Sequence, residues 1–149
     1  MINFLITFTT FWFMEFMAWF THKYVMHGFL WYLHKDHHQV EPGFFEKNDA
    51  FFLIFAVPSA YCFITGSIYN DFRFFIGLGI SFYGIAYFIV HDIIIHQRFK
   101  IFTHWNNRYV RAIRRAHKLH HKHLGKEHGE NFGMLIVPFR YFKNPNLTK

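Results

Sequence analysis

Cysteine is almost missing from this chain: Cys62 is its only one, and it lies in an apolar run. One thiol excludes an intramolecular disulfide and a cysteine-built metal site, and with them an iron–sulfur cluster. Acids are scarce too, nine Asp and Glu against sixteen Lys and Arg, which disfavours an oxygen-rich magnesium cage. No Pro-rich or Gly-Ser linker divides the sequence, so 1–149 reads as a single domain. The opening stretch MINFLITFTTFWFMEFMAWF has no positive n-region and no small-residue cleavage site. It is expected to be a retained anchor and not a secretory signal.

What the chain has in excess is apolar surface. Hydrophobic residues make up 52% of it and aromatics 23%. The charges are blocked apart from the apolar runs, as in a membrane protein. A nucleic-acid binder would interleave them with its aromatics, so no nucleic-acid partner is expected. Residues 2–21, 50–69 and 74–95 are each long enough to cross roughly 30 Å of hydrocarbon at about 1.5 Å per helical residue. The expected fold is an all-α integral membrane bundle of three spanning helices. A fourth crossing near 132–142 is disfavoured because that segment is short and contains Arg140.

The second and third spans make a hairpin, which returns the chain to the side it left. Fifteen of the sixteen positive charges then share that side, and only Arg73 lies in the opposite turn. By the positive-inside tendency this face is cytoplasmic. The cationic stretch with Arg108, Arg111, Arg114, Arg115, Lys118 and Lys122 reads as a helix resting on lipid headgroups.

Histidine dominates the same face. Five of thirteen fall within HKYVMHGFLWYLHKDHH, residues 22–38, a density that no packed core requires. His34, His37 and His38 form an HxxHH block, repeated by His117, His120 and His121; His22 with His27 and His91 with His96 form HxxxxH pairs. On a helix, positions i, i+3 and i+4 share a face, so each triplet can converge on one locus. If the first helix continues unbroken, steps of about 100° bring His27 into a stripe with His34 and His38. A spacing of five instead sets His22 and His27 roughly 140° apart, and likewise His91 and His96. Each pair therefore needs a bulge, a frayed end or two separate metals, and His22 must approach from another direction.

Neutral imidazole suits iron, zinc, copper and nickel. Ten histidines exceed what one ion uses, so a cytoplasmic site with two metals is expected. Asp36 and Asp92 adjoin these histidines and could accept their second ring hydrogen; Asp36 could equally pair with Lys35 or solvent. Glu15 lies seven residues before His22 in an apolar span, where a carboxylate is costly, and is expected to face the interior beneath the site. His104, His123 and His128 are expected in solvent or among headgroups.

EFMAWFTHKYVMHGFLWYLHKDHH, HDIIIHQRF and AHKLHHKH resemble the corresponding segments of the bacterial β-carotene hydroxylases, within the membrane-bound fatty-acid hydroxylase and sterol desaturase superfamily. The resemblance covers most of the chain, with all four histidine boxes in family order. It implies a non-haem di-iron centre of two iron ions that uses molecular oxygen as co-substrate. One oxygen atom would enter the 3-position of a β-ionone ring, taking β-carotene to β-cryptoxanthin and zeaxanthin. Carried over box by box, the ligands are His22, His27, His34, His37, His38, His91, His96, His117, His120 and His121.

The substrate would arrive from the lipid bilayer, so apolar residues should wall the site; Phe16, Trp19, Phe20, Trp31 and Tyr87 are candidates for substrate binding. The reaction consumes two electrons, and the sequence has no GxGxxG nucleotide fingerprint. An external donor is implied, a ferredoxin with its reductase, which a cationic face would attract. The competing readings are a related oxygenase acting on a fatty acyl chain, a sterol or a keto-carotenoid, and a non-enzymatic metal- or haem-binding membrane protein.

Overall fold

A computed structural model describes residues 1–39 and 42–143. Residues 40, 41 and 144–149 lie outside the described residues. Among the described residues there are helices and no strand. Helix α1 (Ile2–Phe20) is largely apolar, with Glu15 its one charged residue, and has no proline or glycine to stop it. It continues as a π-helical segment over Thr21–Phe29, until Gly28 takes a non-helical conformation at φ −99°, ψ −124°. The expected unbroken extension is thus corrected: α2 (Trp31–His38) is a separate helix that starts afresh after Leu30.

A short 3-10 turn, Lys47–Phe51, leads into α3 (Phe52–Tyr69), which carries Pro58 within it. Asn70 then adopts a left-handed conformation, φ 51°, and closes the hairpin to α4 (Arg73–Phe88). Helix α4 also runs on as a π-helical segment, Ile89–Ile95. Helix α5 (Arg108–Lys122) begins where the Asn107 side chain accepts the Val110 amide at 2.8 Å. The tail returns along α5 and ends in α6 (Arg140–Lys143), whose Tyr141 is buried against Ala112 and Ala116. No crossing is seen over 132–142, so the expectation of three spans holds.

Those spans, with their π and 3-10 extensions, are Ile2–Phe29, Lys47–Tyr69 and Arg73–Ile95, and no more than 33% of any one is buried inside the protein. Phe4, Phe8, Phe13, Leu53, Val57, Ile64, Phe82 and Ile85 point outward, where only lipid can shelter them. Helix α4 packs on both α1 and α3. It meets α1 through Met14, Ala18, Ile80 and Tyr83. The hairpin brings the ends of α1 and α4 together with α2 and α5, and every histidine box is at that end.

Candidate metal centre

The two π-helical segments explain the HxxxxH pairs. A π-helix bonds residue i to i+5, which puts residues five apart on one face. Leu30 N–H donates to the Val25 carbonyl at 3.0 Å and His96 N–H to the His91 carbonyl at 2.9 Å, both with that spacing. Ring centroids of His22 and His27 are consequently 5.3 Å apart and those of His91 and His96 4.5 Å. His22 joins His27 from the same helix and does not need a separate approach.

Nine of the ten box histidines fall into two groups, His22, His27, His34, His38 and His120 in one and His37, His91, His96 and His117 in the other. The expectation that each HxxHH triplet converges on one locus is corrected. Positions 34 and 38 lie about 40° apart around a helix and 37 about 100° from 38, so a triplet subtends two directions and bridges both groups. Helix α2 gives His34 and His38 to the first group and His37 to the second. Helix α5 reverses the allotment, with His120 in the first group and His117 in the second. His121 sits at the seam, its ring stacked on His38 at 4.5 Å and 4.4 Å from His117. Its Nε2 is buried and has no hydrogen-bond partner.

In the first group every Nδ1 is spoken for. His22 donates to the Phe132 carbonyl at 3.0 Å, His27 to Lys126 at 2.9 Å, His38 to His123 at 3.0 Å and His120 to Glu130 at 2.9 Å. His34 donates to Asn48 Oδ1 at 2.6 Å. A carbonyl oxygen only accepts, so the proton is on Nδ1 and the lone pair on Nε2. Those lone pairs nonetheless face each other, His22 to His34, His34 to His38 and His27 to His120, each at 3.2 Å. Two nitrogens bound to one ion at about 2.1 Å and cis or tetrahedral angles would be roughly 3.0–3.4 Å apart. The donor set fits a metal ion.

The second group has the same convergence, with His37 and His91 Nε2 atoms 3.1 Å apart and those of His96 and His117 2.7 Å apart. Its anchors differ. His37 Nδ1 donates to Glu46 Oε2 at 2.7 Å and His91 Nδ1 lies 3.4 Å from Asp92 Oδ2. Arg98 holds these acids from behind, 3.0 Å from Asp92 and 3.5 Å from Glu46, and also bonds Asp49 at 2.9 Å. Electrostatics keep the imidazoles available. Burial lowers His34 to about 3 and His38 to about 4, against the opposing pull of their hydrogen bonds to Asn48 and the His123 carbonyl. They are neutral at physiological pH, the form that ligates.

The acids singled out by sequence do different work. Asp92 reaches a ring as expected. Asp36 does not: its Oδ2 accepts the Lys47 amide at 2.6 Å, bracing the turn that presents Glu46 and Asn48. Glu15 faces the interior but bonds no histidine. It accepts the amides of Met134, Leu135 and Ile136 at 2.9–3.0 Å and the Tyr83 hydroxyl at 2.7 Å, pinning the segment that carries Phe132 and Glu130. His104 and His128 are exposed and His123 half-buried. Glu46, Asn48 and Phe132 escaped the sequence reading. Glu46 and Asn48 belong to a loop with ordinary turn chemistry, and Phe132 acts through a carbonyl that any residue would supply.

A cavity of about 810 Å³ lies between α1, α3 and α4, and its lining reaches His22 and His91 together with Glu46, Asp92 and Arg98. Its wall includes Ala18, Phe55, Ser59, Phe63, Ile80 and Tyr87. Of the expected substrate contacts only Tyr87 lines it. Phe16 and Phe20 face outward, 52% and 41% exposed, and Trp19 packs between Phe16 and Tyr24. Trp31 packs against His27 and His38 with tilted rings, centroids 5.2 and 5.3 Å apart. The cavity uses the α1 face turned toward α4, and these aromatics are on the other faces.

A three-span bundle that gathers ten imidazoles at one end defines a membrane protein with a site able to hold metal. The chain belongs to the fatty acid hydroxylase family, which matches over residues 7–141. Within it, the chain is 39% identical to a β-carotene hydroxylase of Paracoccus sp. over 93% of this chain and 86% of that protein. It is also 39% identical to the β-carotene hydroxylase of Pantoea ananas, over 91% of this chain and 78% of that protein. The chloroplastic β-carotene hydroxylase 2 of Capsicum annuum is 39% identical over 84% of this chain and 41% of its own length. No solved structure matches the chain.

Proposed function

We propose that the protein hydroxylates the β-ionone rings of β-carotene at the 3-position, giving β-cryptoxanthin and then zeaxanthin, in a single membrane-bound domain. The observation that carries this reading is the cavity, whose wall is mostly apolar along the spans and includes one histidine from each group, His22 and His91. A hydrocarbon dissolved in the bilayer can enter it end first and present a ring carbon to both groups. Its volume of about 810 Å³ suits one cyclic end of a long carotenoid, with the polyene trailing into lipid.

The ten box histidines are the proposed ligands of two iron ions, five to each once His121 is counted with the second group. Bound there, iron supplies the activation of molecular oxygen that an unactivated C–H bond requires. One oxygen atom enters the C–H bond and the other leaves as water, with two electrons and two protons from outside. The protein fixes tautomer and ring direction through the Nδ1 anchors, and Glu46 and Asp92 raise the basicity of His37 and His91. Phe51, Phe55 and Tyr87 line the cavity, and an apolar wall of this kind disfavours bulk water beside the histidines. A porphyrin has no room between imidazole nitrogens 2.7–3.2 Å apart, which weighs against the haem reading. Ferredoxin with its reductase is the proposed donor, docking on the cationic face, with the centre on the cytoplasmic side of a bacterial inner membrane.

Pigment analysis of a β-carotene-producing bacterium expressing the chain tests the proposal. Zeaxanthin and β-cryptoxanthin are expected with the unaltered protein and neither with His37→Ala. Unchanged β-carotene in both strains, with iron bound, would move the substrate to another lipid, and hydroxylation surviving His37→Ala would end its role as a ligand.

A further inference from the structure

Helices α3 and α4 contain four glycines, Gly66, Gly77, Gly79 and Gly84. A glycine inside a helix is destabilising relative to alanine, so each needs a reason. Three have one in helix packing. A Cβ on Gly66 would collide with the Phe74 backbone; one on Gly77 would sit 3.0 Å from the Ser59 carbonyl; one on Gly79 would sit 2.7 Å from the Thr7 carbonyl. These contacts zip α4 against α3 near the turn and against α1. Gly84 has no such neighbour, because a Cβ there would meet nothing within 4 Å. What lies over it is the cavity, whose wall it forms together with Ala56, Ala60 and Ser81.

We propose that Gly84 is a specificity-determining position: the space over it seats the broad, methyl-branched cyclic end of an isoprenoid, which a smooth groove for a straight acyl chain would not admit. The inference rests on the reading of the cavity as the substrate site. Its placement supports the assignment. Gly84 precedes His91 by seven residues, two helical turns, so it lies on the same side of α4 and about 10 Å further into the membrane. A ring whose reactive carbon is at His91 therefore puts the bulk that follows that carbon, its geminal methyls and the first branched carbons of the polyene, toward Gly84. Tyr83 and Tyr87 line the same wall, and both are held in place, the Tyr83 hydroxyl by Glu15 at 2.7 Å and the Tyr87 ring by stacking on His91 at 4.9 Å.

The test compares Gly84→Ala and Gly84→Leu in the full chain. Metal content, melting temperature, β-carotene affinity by quenching of intrinsic fluorescence, kcat/KM and the position of the new hydroxyl are all read. Alanine is the better helix former, so Gly84→Ala folds and keeps its metal. It is expected to lose several-fold in kcat/KM, and Gly84→Leu about a hundred-fold, following the selectivity that a few methylene groups confer in an apolar pocket. β-Carotene affinity should fall in the same order. Residual product should carry part of its hydroxyl at a ring carbon next to the 3-position, because a displaced ring offers a different C–H bond. A purely structural role for Gly84 would not move that position.

Wild-type affinity, rate and regiochemistry in both variants would overturn the proposal. If Gly84→Leu fails to fold, Gly84→Ala decides alone: a loss of affinity and kcat/KM at full metal content supports the assignment, and unchanged values overturn it. An unaltered protein that binds iron yet leaves β-carotene untouched would instead defeat the functional reading beneath it, and the two failures are told apart by the wild-type control.

Discussion

The two histidine groups adjoin each other and converge in the same way, yet they are held by different chemistry. The first is anchored by four backbone carbonyls and one amide, all neutral acceptors that fix direction with little charge. The second is anchored at His37 and His91 by the carboxylates of Glu46 and Asp92, with Arg98 behind them. A carboxylate on the far nitrogen pushes electron density into the ring and makes it a more basic ligand. With one ion in each group, as proposed, the two would therefore be inequivalent, the second group favouring the harder and more highly charged state. The groups also depend on different parts of the chain. The first needs the fold of residues 123–132, which supplies all four carbonyls; the second needs particular side chains on the turn before α3 and at the end of α4.

The largest way to separate them is to release that loop. Glu15→Ala strips the acceptor from three backbone amides and the Tyr83 hydroxyl. Leaving such donors buried costs about 1–3 kcal/mol each where water cannot reach them, so a total loss of about 3 kcal/mol or more is expected. The comparison makes the outcome specific: the segment carrying Phe132 and Glu130 loosens, and metal content falls by the share of the first group while the second keeps its own. Thermal melting and metal analysis check this, and equal loss from both groups would show that they are one cooperative unit.

Acid probes the same group in the metal-free protein. The unfolded His34 takes a proton near its ordinary value of about 6.5, whereas burial holds the folded imidazole at about 3. Below about 6.5 the unfolded state binds more protons, so stability is full above that pH and declines as pH falls toward 3. The slope is up to about 1.4 kcal/mol per pH unit for a histidine that stays neutral when folded. Denaturant titrations of the metal-free protein between pH 7.5 and pH 4.5 should show the decline. A flat profile would mean that the imidazoles reach solvent.

These contrasts mark what the sequence could and could not disclose. Spacing alone identified all ten box histidines, the three spans and the shared side of the membrane, because hydrophobic length and repeated triplets are local properties. It failed where an answer depended on backbone detail. The π-helical turns that align His22 with His27 are not encoded by any residue type at those positions. The division of each triplet between groups depends on how α2 and α5 are rotated toward each other, which no local pattern states. The carbonyl anchors are invisible in principle, since every residue carries one. The aromatic candidates Phe16 and Phe20 do not line the cavity for a simpler reason: in a chain with twenty-three phenylalanines, many rings face outward.

The smallest expected effects come from exchanging the anchors, and they bear most directly on the inequivalence. Glu46→Gln keeps an acceptor oxygen within reach of His37 Nδ1 but removes its charge, and a change of this kind weakens metal binding about 10–100-fold. It should do so at the second group alone, leaving one tight and one weakened ion per chain in a chelator titration. Asn48→Asp is the reciprocal step, giving His34 the carboxylate that His37 enjoys. Asn48 is buried, so the new charge costs desolvation in the metal-free protein and is offset only when a cation is bound. The variant should melt lower without metal, bind metal at the first group at least as tightly, and narrow the spectroscopic difference between the ions. If Glu46→Gln affects both ions alike, or Asn48→Asp leaves their spectra as different as before, the anchors do not set the inequivalence, and its origin is the geometry of the five nitrogens around each ion.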